Sequence, residues 1–257
     1  MVLAKRMKRI IKLILLVGAG LVLGAITFQV IMYVRVARLR DQNPTSTSMM
    51  ETRAQEAQAQ GRPPLVEQKW VSLDRISTNL QRAVIAGEDT NFTTHHGFDY
   101  QAIQKAWEQG QREAEKEAKK EGDNDPGWLP DMGSFKRGGS TISQQLAKNL
   151  YLSSQRSFLR KGQEAVLTIF LERELSKRRI LELYLNVIEW GDGIYGAEAA
   201  AQHYFHKPAA VLAANEGAFL AAVIPNPRTV FNPSVNPRRV ARRQRIILRG
   251  MPYVKLP

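Results

Sequence analysis

The chain has 257 residues, 44% of them hydrophobic and 24% charged, enough for one substantial domain plus an appendage. Its formal net charge of +13 points to anionic partners: acidic phospholipid, a phosphorylated substrate or nucleic acid. The absence of cysteine excludes disulfides, thiolate metal sites and a cysteine nucleophile, and the four histidines show no HExxH or other zinc spacing.

From Leu13 to Val34 the chain carries no charge, a run long enough to cross a bilayer as a helix. Lys5, Arg6, Lys8, Arg9 and Lys12 precede it, and Arg35, Arg38 and Arg40 follow. The heavier basic flank predicts a cytoplasmic N-terminus (residues 1–12), a retained single-pass anchor (13–34) and an exported remainder. A cleaved signal peptide fits less well, because the apolar run is long and no small-residue cleavage site precedes the arginines.

Residues 35–69 read as a juxtamembrane linker: polar, broken by Asn43-Pro44 and Pro63-Pro64, with some helix over Glu51–Gln60. The domain is expected over residues 70–257, and nearly every segment of it reads as helix. Ser77 is placed to cap a helix that carries Leu80, Ala83, Val84 and Gly87 on one face. Gly138-Gly139-Ser140-Thr141 leads into a helix through Leu150. Further helices are predicted over Phe158–Leu175, Arg178–Ile188, Ala197–Tyr204 and Asn215–Ile224, the last stopped by Pro225. Asn236-Pro237 opens a final basic helix. The charged run Glu108–Glu121 lacks an apolar stripe and reads as a solvated helix extension. No alternating run predicts a strand, so the fold class is mainly α.

Three stretches carry chemistry. Glu88-Asp89 puts adjacent carboxylates at a helix C-terminus, where the helix dipole opposes them; Phe92, His95 and Gly97 follow closely. Ser140, Thr141, Gln144, Gln145, Lys148 and Asn149 give a helix start with a broad polar face and a cation one turn in, suited to an anion. Glu164 lies in the first turns of the next helix, with Arg156, Arg160 and Lys161 nearby. Taken singly, each has a plain structural alternative: paired surface acids, an ordinary N-cap, a carboxylate settled at a helix N-terminus.

Their order is specific. Glu88–Gly97 (Glu-Asp-x-x-Phe-x-x-His-x-Gly), Gly138–Gln145 (Gly-Gly-Ser-Thr-Ile-Ser-Gln-Gln) and Arg160–Glu164 (Arg-Lys-x-x-Glu) resemble the ordered motifs of glycosyltransferase family 51. That family comprises the peptidoglycan glycosyltransferase domains of class A penicillin-binding proteins and their monofunctional relatives. Arg179–Asn186, Gly191–Gly196 and Ala199–Pro208 extend the resemblance, which covers about Val71–Pro233. Two features depart from it: the charged run lengthens the spacer between the first two motifs, and Gln163 stands where some relatives carry lysine.

The resemblance implies a lysozyme-like helical domain that polymerises lipid II into β-1,4 glycan at the outer face of the inner membrane, with inversion and release of polyprenyl pyrophosphate. It implies Glu88 as the base and Glu164 as the second essential carboxylate, organising a pyrophosphate site made with Ser140, Thr141, Gln144, Gln145, Lys148, Asn149, Arg156, Arg160 and Lys161. Asp89, Phe92, His95 and Gly97 are expected to support the base, His95 by ordering its loop. No cofactor is obligatory in this reading; a divalent cation, Mg or Mn, near Glu164 is an option. Expected partners are lipid II, the growing glycan, inner-membrane phospholipid and other cell-wall synthesis or division proteins, with no nucleic acid. No transpeptidase activity is expected of a chain ending at Pro257. Asn186, Tyr195 and Glu198 read as structural, and Val223-Ile224-Pro225 as a segment that dips into the membrane. A membrane-anchored muramidase and a non-catalytic cell-wall scaffold are the alternatives.

Overall fold

The computed structural model describes residues 2–121, 139–152 and 157–257. Gly138 and Arg156, named above, lie outside them. Thirteen elements cover the rest: α1 Val2–Arg38, α2 Ser48–Ala59, β1 Glu67–Gln68, α3 Thr78–Glu88, α4 Tyr100–Glu121, α5 Ile142–Tyr151, α6 Phe158–Glu174, α7 Lys177–Val187, β2 Glu189–Gly191, β3 Ile194–Tyr195, α8 Ala197–Phe205, α9 Ala214–Val223 and α10 Pro237–Gly250. The chain is mainly helical, as expected. Helix starts are set locally by hydroxyl caps. Thr47, Ser77, Thr141, Ser157 and Ser176 each accept a hydrogen bond from the main-chain N–H three residues on. A cap of this kind contributes about 1 kcal/mol.

The helices form two packed groups. In one, α3 is sandwiched with α9 and α10. Gly217 allows α9 to lie against α3, since a Cβ there would stand 3.0 Å from the Leu80 main chain. In the other, α5 packs on α6 and α7. A continuous apolar core runs through both, including Leu80, Val84, Leu146, Leu167, Leu171 and Leu220. Val223 and Ile224, expected to dip into a membrane, belong to this core, and only Pro225 of that segment is exposed. They are the inner end of α9, so they have no free surface to offer a bilayer.

A small sheet of order β1-β3-β2 was not expected. β1 runs parallel to β3 with Glu67 opposite Ile194, and β2 runs antiparallel to β3 across a bulge between Glu189 and Gly191. Strands of two or three residues are too short to show an alternating pattern.

Residues 35–69 do more than tether. Met50 is buried, α2 packs on α5, and β1 enters the sheet. Arg53 pairs with Glu189 at 3.0 Å and Glu56 with Arg228 at 2.9 Å. The polar composition that suggested a linker is spent on ion pairs with the domain.

α1 is long and apolar enough to cross a membrane, with a mean hydropathy of 2.4 in its most apolar window. Its C-terminal part docks on α6, burying Met32, Val36 and Leu39. Gln29 and Gln163 form a reciprocal amide pair at 2.7 and 3.3 Å, Tyr33 meets Phe170 edge-on, and Arg40 and Tyr33 both bond Glu174. The amide at Gln163, where some relatives carry lysine, therefore has a structural partner on the apolar helix. These contacts make α1 and α6 run side by side in the same direction.

Candidate active site

Glu88 is the last residue of α3, where free carbonyls concentrate negative charge. Two groups offset that penalty. Arg243, from α10, donates from Nη2 to the Gly87 carbonyl at 2.8 Å and to Glu88 Oε1 at 2.7 Å. Gln145, from α5, donates its amide N–H to Glu88 Oε2 at 2.9 Å. The Gln145 carbonyl in turn accepts from the Tyr184 hydroxyl at 2.9 Å, which fixes how the amide is turned. Burial holds the Tyr184 hydroxyl well above its usual pKa, helped by the nearby Glu88 charge, so it remains a donor.

The Glu88 side chain is only 8% exposed. Burial raises its pKa above the ordinary carboxylate value, while Arg243, Gln145 and Lys148 pull the other way. A carboxylate with a raised pKa is a stronger base than one in water.

The next residue locks this group in place. Asp89 Oδ2 accepts from the main-chain N–H of Ile142, the first residue of α5, at 3.0 Å. His95 Nδ1 accepts from the Gly97 N–H at 3.1 Å, so the ring proton sits on Nε2 and is donated to the Asp89 carboxylate at 2.9 Å. Thr141 closes the circuit by donating its hydroxyl to the Gly97 carbonyl at 2.7 Å. The loop after Glu88 and the start of α5 thus form one hydrogen-bonded unit. Phe92 is buried beneath it, with the Lys177 ammonium 4.6 Å from its ring centroid.

Lys148 follows Gln145 by one turn of α5. Burial lowers its pKa, as do the like charges of Arg160 and Lys161, while Glu164 and Glu88 act in the opposite direction. It is therefore within electrostatic reach of both carboxylates. Glu164 is 3% exposed and holds Arg160 at 2.8 Å and Lys161 on its other oxygen. Among the described residues, Arg160 and Arg243 each keep a buried Nε without a hydrogen-bond partner.

The residues expected at the pyrophosphate site therefore divide. Gln145, Lys148, Arg160 and Lys161 come together with Glu88 and Glu164. Thr141 and Gln144 face one another in a capping box, the Gln144 carbonyl accepting from the Thr141 N–H at 3.0 Å, and both are buried. Asn149 donates back to the Gln145 main-chain carbonyl at 2.8 Å, and Ser140 is exposed at the mouth of the helix. Asn186, Tyr195 and Glu198 are buried; Asn186 bonds the Val71 main chain in both directions and Glu198 accepts from the Ala209 N–H.

Sequence reasoning missed Arg243. Val240 and Ile247, seven residues apart, mark the buried face of α10, and position 243 falls on that same face. A cation on an apolar stripe was the available signal. It missed Glu172 as well, which joins Ser143 of α5 to Lys177 of α7.

A divalent cation at Glu164 finds little support in the donor set. Among the described residues no three His, Cys, Asp or Glu side chains cluster, and both Glu164 oxygens are held by cations.

The model of the transglycosylase family matches residues 55–122 and 128–252. The chain belongs to that family. The matched stretches contain Glu88, Lys148, Glu164 and Arg243 and leave α1 outside. The transglycosylase is 47% identical over 239 residues to the biosynthetic peptidoglycan transglycosylase of Thiobacillus denitrificans, covering 93% of this chain and 94% of that one. It is similar to the proteins of the same description from Nitrosomonas eutropha (42% identity, 91% and 87% covered) and Bordetella pertussis (46%, 91% and 90%). Such identity along nearly the whole length makes this transglycosylase a peptidoglycan glycosyltransferase.

Proposed function

We propose that the transglycosylase extends β-1,4 glycan strands from lipid II, with Glu88 as the base. The acceptor sugar's 4-hydroxyl attacks C1 of the donor; its proton passes to Glu88, the new C1–O bond forms, and the C1–O bond to the diphosphate breaks. The electron pair leaves with polyprenyl pyrophosphate. A single displacement of this kind inverts the anomeric centre. The observation that carries this reading is a buried carboxylate, Glu88, held by Gln145 and Arg243, with a second buried carboxylate, Glu164, held by Arg160 and Lys161. The leaving diphosphate needs charge neutralisation more than a proton. Lys148, Arg160 and Lys161 supply it, and Glu164 holds Arg160 and Lys161 in position.

The register of α6 on α1 supports the substrate class. The Gln29–Gln163 pair brings the first turns of α6, which carry Arg160, Lys161 and Glu164, to the apolar helix, and Phe158 and Leu159 at the start of α6 are 77% and 88% exposed. A diphosphate attached to a bilayer-embedded prenyl chain presents itself in that zone. In this reading the N-terminus is cytoplasmic and the domain lies on the outer face of the inner membrane.

The raised pKa of Glu88 would also suit the general acid of a muramidase. Purified protein given lipid II is expected to form polymer and release polyprenyl pyrophosphate, and intact sacculi are expected to survive it. Glu88→Gln should cut the rate by about 10²–10⁴, the usual contribution of a general base. Soluble fragments from sacculi without polymer from lipid II would reverse the assignment.

A further inference from the structure

Where α1 leaves its uncharged run lies a cavity of about 540 Å³. It is bounded by Arg35 and Arg38 of α1, by Asn43, Ser46 and Glu51 of the following segment, and by Tyr151 at the end of α5. Among the described residues neither arginine has an ion pair or side-chain hydrogen bond, whereas Arg40 pairs with Glu174 and Arg179 with Glu182. The two arginines are one turn apart and so project to the same side of the helix. Burial pushes the Tyr151 hydroxyl up to about 12, leaving it a hydrogen-bond donor at the cavity wall. Glu51 accepts from Ser46 at 3.2 Å and has acceptor capacity left over.

We propose that this cavity holds the headgroup of a glycerophospholipid with one phosphodiester and a hydroxylated end, of the phosphatidylglycerol type. Arg35 and Arg38 take the phosphodiester, and Glu51 with Asn43 takes the headgroup hydroxyls. Charge selects this occupant. Two arginines and one glutamate leave a single positive charge, which balances a phosphodiester but not the larger charge of a diphosphate. Position selects it too, since both arginines stand just past the uncharged run that ends at Val34, where lipid phosphates concentrate. An ordered lipid here would fill the space between α1 and α5, the helix that carries Gln145 and Lys148. The inference uses the membrane anchor but not the catalytic assignment, so it can fail while that assignment stands.

The test uses the full chain in phosphatidylcholine nanodiscs containing a photoactivatable phosphatidylglycerol, with crosslinks mapped by peptide mass. Crosslinks are expected on the peptides carrying residues 43–51 and 150–151. The R35Q/R38Q double variant should lose about tenfold of that labelling, in keeping with the attraction of interfacial arginines for anionic lipid. R242Q/R245Q, which removes the same charge from an exposed face of α10, should retain it. R35K/R38K keeps the charge and covers the case of misfolding; labelling should persist in part. Equal labelling in R35Q/R38Q and R242Q/R245Q would overturn the proposal. So would loss of labelling on adding inorganic pyrophosphate, which would mark a site for soluble anions, or displacement by lipid II, which would make the cavity part of the substrate path.

Discussion

Arg243 and Glu88 meet across 155 residues of chain, and the same guanidinium nitrogen that pairs with the carboxylate also bonds the carbonyl of Gly87. Arg243 thus neutralises the negative end of α3 and holds the base at the same time. It is also the charge that opposes the burial-driven rise in the Glu88 pKa. Removing it lets burial prevail, and the base then binds its proton up to a higher pH. Arg243→Met is expected to move the acid limb of the kcat/KM–pH profile upward and to lose most activity on the acid side. Part of the rate should return under alkaline conditions. A profile of wild-type shape, merely scaled down, would reduce Arg243 to a structural role.

Lys148 gives the complementary limb. Its pKa lies below the usual lysine value, first through burial and then through Arg160 and Lys161. It therefore sheds its proton at a lower pH than an exposed lysine, and in the proposed reaction neutralisation of the departing diphosphate is expected to weaken from that point upward. Lys148→Met is expected to reduce kcat by about 10²–10³, as for loss of one preorganised charge-stabilising group. Lys148→Arg should keep part of the rate and push the alkaline limb to higher pH, because guanidinium does not titrate there. Rates measured across an alkaline pH series distinguish the two variants.

The loop after the base is held by geometry that only glycine accepts. Gly97 has φ +91°, and a Cβ there would sit 2.8 Å from Thr168 Cγ2 and 3.1 Å from Glu172 Cγ. Gly97→Ala should cost about 2–4 kcal/mol from the left-handed backbone and the forced contact together. Thermal melting of the detergent-solubilised protein would register this as a clear fall in Tm. Because Thr141 bonds the Gly97 carbonyl, the rate should fall as well.

Much of this was legible in the sequence. Ser77, Thr141 and the proline at position 237 announced helix starts correctly, since a cap is local chemistry acting over three residues. What the sequence hid is long-range. Thr141 and Gln144 looked like anion donors, but their spacing is also that of a capping box, and the cap takes both side chains. The Arg53–Glu189 and Arg228–Glu56 pairs that fasten residues 35–69 to the domain join charges that are unremarkable in their own segments. Arg243 was half visible, being a cation in register with Val240 and Ile247.

The docking of α1 on α6 separates two jobs for one helix, and truncation can tell them apart. A chain starting at Phe28 keeps Met32, Val36 and Leu39, all buried against the domain; a chain starting at Asp41 loses them. Each such side chain contributes about 1.5–3 kcal/mol of burial, less the entropy of ordering the segment, so the shorter chain should lose roughly 3–5 kcal/mol. The chain from Phe28 should melt like the full-length domain in detergent, although it lacks most of the apolar run. It should still bind lipid vesicles through Phe158 and Leu159, and Phe158→Glu with Leu159→Glu should release it from sedimenting vesicles. If the chain from Asp41 melts no lower than the chain from Phe28, the contacts of Tyr33, Val36 and Leu39 do not hold the domain to its helix, and the register that sets Arg160 and Glu164 beside the apolar span loses its footing.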